Sequence, residues 1–406
     1  MESLTRMIPK ANMPKLKDYK FQSGGSTKLD CLINVIWWNP IASLIPRFIS
    51  PNVITLSGTL CLIAMNYCIL AYIPNLESSK TPEWLPLMIA GGILLYMTLD
   101  GIDGKQARKL GMSSPVGQLL DHGVDAVVSV FYPYMCFAIY PGGFSLTVML
   151  MCAISPIHVL CTVWRESEFS TFSHVNGIIG VTETNLGMIG LQLMVYYTRP
   201  YLNMPLTKGV GRNDYILWLS KYTPRLVDLE MVTMYVIAAM AYYEGIMGVM
   251  SLLRDTRHKL RYIVFMSSAI LHASSSYYMA FILPSKFRIA ACLFASTCCA
   301  IMCVNNIVCL LGHSRLRAFH FALLPHYILL LHYYGGIVLR RYGYHVAPLS
   351  SKDMHKLLII ISAYGFACIV YIFAKTIKEV MDYLGIPLLS VPRGAAQKKS
   401  NETRHT

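Results

Sequence analysis

Ten blocks of roughly twenty largely apolar residues divide this chain, and no other feature constrains its fold as strongly. In lipid a block of that length can satisfy its backbone amides and carbonyls internally only as a helix. The blocks fall near 52–74, 85–106, 117–140, 144–164, 177–198, 227–252, 262–283, 287–311, 317–338 and 355–381. Before them, residues 33–49 form a shorter amphipathic stretch with Trp37, Trp38 and Arg47, which reads as a helix lying in the membrane interface. The expected fold is therefore all-α: a polytopic integral membrane bundle of about ten transmembrane helices plus an N-terminal interfacial helix. The first thirty residues carry Arg6, Lys10, Lys15, Lys17, Lys20 and Lys28 without an apolar core, so no cleavable signal peptide is expected.

Composition supports the bilayer. The chain is 55% hydrophobic and 14% charged, against about a quarter charged in soluble domains. Its net charge of +14 sits in short runs between the apolar blocks, which suits anionic headgroups and positive-inside flanking. Aromatic and basic residues do not interleave as a nucleic-acid surface would need, so nucleic acid is excluded as a partner. With both termini cytoplasmic, basic residues favour that side roughly two to one. The 199–225 loop, with Arg199, Lys208, Arg212, Lys221 and Arg225, runs against that orientation. Cys292, Cys298, Cys299, Cys303 and Cys309 lie in apolar blocks without zinc-finger spacing and read as small apolar filler.

The chemistry concentrates in one stretch, Asp100 to Asp125, DGIDGKQARKLGMSSPVGQLLDHGVD. Asp100 and Asp103 are three apart, Asp121 and Asp125 four apart, so each pair shares a helical face. Two antiparallel helices joined by the short segment from Lys109 to Pro115 bring the pairs together. Four carboxylates converging in a membrane repel one another unless a cation lies between them. Hard oxygen donors suit Mg²⁺, Mn²⁺ or Ca²⁺, and four carboxylates can hold two ions. Gly101, Gly104, Ala107, Gly117 and Gly123 allow helices and a bulky substrate to approach closely. Lys105 and Arg108 add the positive charge that a diphosphate requires, and Gln106 offers a neutral donor. Such a site suits phosphoryl transfer, where positioning and charge neutralisation do most of the catalysis.

The pattern D-x2-D-G-x2-A-R-x8-G-x3-D-x3-D, carried by Asp100, Asp103, Gly104, Ala107, Arg108, Gly117, Asp121 and Asp125, resembles the signature of the CDP-alcohol phosphotransferase superfamily. Ile45-Pro46 and Pro51 to Thr55 resemble the entry to the first span of its eukaryotic choline and ethanolamine branch. Gly177 to Glu183 resembles that branch's fifth-span motif, with Gly180 where Asp is usual. The layout is similar over about residues 30–385. The resemblance implies that Asp100, Asp103, Asp121 and Asp125 bind two Mg²⁺ or Mn²⁺ ions. It further implies that Asn52, Gly104, Lys105, Gln106, Arg108 and Gly117 line a nucleotide site. The implied reaction passes phosphoethanolamine or phosphocholine from CDP-ethanolamine or CDP-choline to diacylglycerol or its ether analogue. CMP leaves, in the endoplasmic reticulum or Golgi, at a site facing the cytoplasm.

A base must take the lipid hydroxyl proton. His122 follows a metal ligand and titrates near working pH, and Glu183 is an acid in an apolar span; the two are expected to act as a connected pair, with the acceptor of the proton left open. Glu230 and Glu244 read as helix-pairing groups, and Asn305 and Asn306 as interhelical hydrogen bonders. The tyrosine pairs Tyr242-Tyr243, Tyr277-Tyr278 and Tyr333-Tyr334 read as interfacial belt. The expected organisation is an N-terminal segment 1–50, a catalytic bundle 51–252, C-terminal helices 253–385 supporting packing or a homodimer, and a disordered tail 386–406. Competing readings are a relative with an inositol- or glycerophosphate-type acceptor, a cation transporter with acids spread along a pathway, and a non-catalytic lipid-binding scaffold.

Overall fold

The structure, a computed structural model, describes residues 6–18, 25–73, 81–137, 139, 145–170, 180–202 and 223–392. Among these, all regular structure is helical. The ten long helices are α1 (Pro51–Tyr72), α2 (Leu85–Leu110), α3 (Pro115–Phe137), α4 (Leu146–Phe169), α5 (Val181–Leu202), α6 (Thr223–Asp255), α7 (Lys259–Ile282), α8 (Arg288–Leu311), α9 (Leu324–Arg341) and α10 (Ser351–Leu384). Seven elements, containing α1, α2, α4, α6, α8, α9 and α10, are long and apolar enough to cross a membrane. The remaining three, α3, α5 and α7, carry more polar side chains, among them Asp121 and Asp125, Thr182 and Gln192, and Ser268 and His272. The protein is thus a polytopic helical membrane protein.

Helix α8 forms the centre. Ala291, Cys292, Phe294, Ala295, Cys298 and Cys299 are fully buried, and the helix packs on α3, α4, α7 and α10. Small residues make that approach possible: a β-carbon on Gly365 of α10 would come within 2.7 Å of Thr297 on α8. The described buried cysteines form no disulfide.

Pro133 interrupts the ladder of α3. It has no N–H for the carbonyl four residues back, Ser129, and in lipid that acceptor needs another donor. Ser155 of α4 supplies it at 2.6 Å. The adjacent Val130 carbonyl accepts from Tyr277 of α7 and Ser296 of α8, both at 2.9 Å. Three helices are thereby fastened to one turn of α3, and Tyr277 serves as a buried anchor where a belt residue was expected.

The ninth helix begins later than hydropathy suggests. Asn306 of α8 accepts from the Arg317 amide at 2.8 Å and donates to its carbonyl at 3.1 Å and to the His320 ring at 3.0 Å. These bonds fold 312–320 across the end of α8. Asn305 instead donates to Ile301 within its own helix.

Met7 and Ile8 lie against the C-terminal part of α10. Glu379 of α10 accepts from the amides of Met7 and Ile8. Residues 386–392, expected in the tail, turn back along α1, where Asn52 donates to Leu388 O at 2.8 Å. Residues 393–406 and the Gly177–Ile179 part of the fifth-span motif lie outside the described residues.

A candidate metal centre between two helices

The N-terminal helix, residues 28–44, opens with a capping box: Thr27 N–H donates to Asp30 and Asp30 N–H to the Thr27 hydroxyl, both at 2.9 Å. A π-turn at Asn34–Trp38 interrupts it and turns both indoles onto α2. Trp37 Nε1 donates to Thr98 Oγ1 at 2.9 Å and Trp38 Nε1 to Met97 O at 3.2 Å. Trp38 lies flush on Gly101, where any β-carbon would land on the indole. At its far end the Lys109 ammonium reaches the carbonyls of Ala42, Ser43 and Ile45, a cation where the helix dipole is negative.

Helix α2 ends at Gly111, whose φ of +65° is the left-handed conformation glycine adopts without strain. Ser114 then accepts from Gly117 N–H at 3.2 Å, and Pro115 opens α3 where its missing N–H costs nothing. The resulting hairpin is antiparallel. Close backbone packing of α2 is with α1 and α5, and of α3 with α8, α4 and α1, which leaves space between the two site helices.

That space is a cavity of about 590 Å³. Asp100, Asp103 and Asp121 bring one carboxylate oxygen each within 4.8 Å of the others. Asp103 is buried and accepts from Thr55 Oγ1 of α1 at 2.5 Å. Asp125 lines the same cavity one turn deeper and accepts from the Tyr96 hydroxyl. The arrangement fits a divalent ion: the donors are hard oxygens, Thr55 and Tyr96 orient two of the acids, and none of the three clustered acids is ion-paired with a described lysine or arginine. Convergence of like charges without a cation is costly, and the donor set suits one.

Of the residues expected at the site, Gly104, Lys105, Arg108 and His122 also line the cavity. Arg108 lies beside Gly104, where a β-carbon would come within 3.5 Å of its guanidinium. Lys105 donates to Asn39 Oδ1 at 2.8 Å, linking the cavity wall to the N-terminal helix. Four expected residues are elsewhere. Gln106 is fully buried and donates to the carbonyls of Pro46 and Ile49, both at 2.9 Å. Asn52 holds Leu388 O, and Gly117 sits beside Asn52 Oδ1. Glu183 accepts from Gly180 N–H at 2.8 Å and so caps the start of α5, while Thr182, Thr184 and Asn185 of that turn line the cavity.

The sequence reading missed Thr55, Tyr96, Trp38, Gln118 and Glu166. Glu166 lines the cavity and accepts from Gln118 Nε2 at 2.6 Å. Glu166 falls two residues beyond the 144–164 block, beside Arg165 and Glu168, and all five announce themselves only through contacts distant in sequence.

Fold and site define a carboxylate centre on a helical hairpin of a polytopic helical protein. Residues 48–211 match the family model described as CDP-alcohol phosphatidyltransferase. It is 32% identical over 198 residues to the choline/ethanolaminephosphotransferase of Saccharomyces cerevisiae, 46% of this chain and 50% of that protein. It is 30% identical over 191 residues to the cholinephosphotransferase of Xenopus laevis, 47% of this chain and 46% of that protein. To the cholinephosphotransferase of Homo sapiens it is 31% identical over 131 residues, 32% of each chain. The first two matches span about half the length of those relatives.

Proposed function

We propose that this protein transfers a phospho-alcohol, phosphoethanolamine or phosphocholine, from its CDP derivative to the hydroxyl of diacylglycerol or its alkyl-acyl analogue. The observation that carries this reading is the convergence of Asp100, Asp103 and Asp121 in a cavity that Arg108, Lys105 and His122 also line. Asp100, Asp103, Asp121 and Asp125 would hold two Mg²⁺ or Mn²⁺ ions. Bound there, the ions would neutralise the diphosphate and polarise the β-phosphoryl group.

The chain's own groups do the rest. Arg108 and Lys105 bind the diphosphate on the α2 wall, with Gly104 leaving room for it. His122 accepts the hydroxyl proton as the lipid oxygen attacks the β-phosphorus and the bond to CMP breaks. Glu183 holds the first turn of α5 against the cavity, and Gln106, Asn52 and Gly117 fix the segments that frame the nucleotide end. The N-terminal helix and Trp38 keep water from the site on one side. The apolar faces of the bundle, such as Ile359, Ile360 and Val370 on α10, meet lipid or a second copy. The site faces the cytoplasm of the endoplasmic reticulum or Golgi.

Purified protein with diacylglycerol and Mg²⁺ or Mn²⁺ should release CMP from CDP-ethanolamine or CDP-choline. Asp121→Asn should lose that turnover and also lose Mn²⁺ binding by electron paramagnetic resonance. Failure of the wild type with both CDP-alcohols would overturn the reading.

A further inference from the structure

Charge is distributed unevenly around the cavity. Lys105 and Arg108 project from α2, whereas Glu166 projects from α4, and these helices do not pack extensively on one another. Glu166 therefore lines the cavity from a helix other than the one that carries Lys105, Arg108, Asp100 and Asp103. Glu166 is not needed to hold the clustered acids, and its described bond is to a neutral group, Gln118 Nε2 at 2.6 Å, through one oxygen. That bond fixes the direction of the carboxylate while leaving its charge unneutralised. Gln118 lies three residues before Asp121, about 4.5 Å of helix rise. The bond thereby ties Glu166 to the part of α3 that carries Asp121.

A CDP-amino-alcohol has the complementary polarity, with an anionic diphosphate at one end and a cationic nitrogen two carbons beyond the β-phosphate. Resting on the function proposed above, we infer that Glu166 receives the ammonium of the CDP-alcohol and selects a primary ammonium over a quaternary one. A primary ammonium gives the carboxylate charge-assisted N–H donors. A quaternary ammonium has none and is recognised chiefly by aromatic faces. The aromatic rings lining the cavity among the described residues are Trp38 and Tyr96. Trp38 packs on α2 through Met97 and Tyr96 belongs to α2, a helix that does not pack extensively on α4, which carries Glu166.

The test measures kcat/KM for CDP-ethanolamine and CDP-choline in wild type and Glu166→Gln, which keeps an oxygen for Gln118. Wild type should favour CDP-ethanolamine. Loss of a hydrogen bond to a charged group is worth about 10- to 100-fold, so the ratio of the two kcat/KM values should move toward CDP-choline by about tenfold or more, mainly through KM for CDP-ethanolamine. An unchanged ratio, or a wild type that uses CDP-choline alone, overturns this inference and leaves the transfer reaction standing. A wild type releasing CMP from neither overturns both.

Discussion

Gly101→Ala tests whether the N-terminal helix is seated on α2 by shape. The added methyl would occupy the space of the Trp38 indole. Trp38 is 8% exposed, and an indole buries about 150–250 Å², so complete expulsion would cost about 4–6 kcal/mol at about 25 cal/mol per Å². The bond from Trp38 Nε1 to Met97 O adds about 1 kcal/mol, and replacing a helical glycine by alanine returns about as much. An overpacked side chain usually slips rather than leaves, which brings the expected cost to about 1–3 kcal/mol. That corresponds to an opening equilibrium about 5- to 150-fold more populated. Limited proteolysis in mild detergent should therefore cleave within residues 25–45 faster by that factor. Gly91→Ala is the control, because a β-carbon there meets nothing within 4 Å, and it should behave as wild type. Equal cleavage of Gly101→Ala and Gly91→Ala would refute the seating.

Three further outcomes follow from described contacts. Burial and the nearby Arg317 hold His320 down to about 4. A histidine near 6.5 when unfolded then adds stability that is complete above pH 6.5 and lost as pH falls toward 4, about 3 kcal/mol in all. His320→Gln should flatten the decline in melting temperature between pH 7 and 5, and an unchanged slope would remove His320 as its source. Ser155→Ala leaves the Ser129 carbonyl without its donor and should cost about 1–3 kcal/mol, read as a fall in melting temperature; no fall would mean the carbonyl is served otherwise. Maleimide applied to the native protein should label Cys31, the exposed thiol among those described, well before Cys292, Cys298, Cys299 or Cys303; rapid labelling of those four would contradict the packing of α8.

The helices were legible because lipid forces long apolar segments into one conformation, and the spacing of Asp100, Asp103, Asp121 and Asp125 announced a shared site. Helix ends were partly legible from Gly111, Ser114 and Pro115. The start of α9 was not, because Asn306 bonds across eleven positions to Arg317, a contact hydropathy does not record. The roles of Gln106 and Asn52 were similarly hidden: each has the chemistry to meet a nucleotide, and each is occupied by a backbone carbonyl at least fifty residues away. Glu183 looked like an acid adrift in an apolar span, yet at the third position of a helix it answers the amide three residues earlier. Periodicity gives a residue's face, whereas its partner depends on which other segment arrives there.

The proline in α3 bears on how the protein could be divided. Two consecutive carbonyls, Ser129 and Val130, are served by hydroxyls from opposite halves of the chain, Ser155 on one side and Tyr277 and Ser296 on the other. A fragment ending after α6 would keep every acid of the cluster but lose both hydroxyls that bond Val130, one turn and a half from Asp125. The last four helices are therefore part of what keeps the clustered acids in register, and a shortened chain would have to replace two hydroxyls before deleting them.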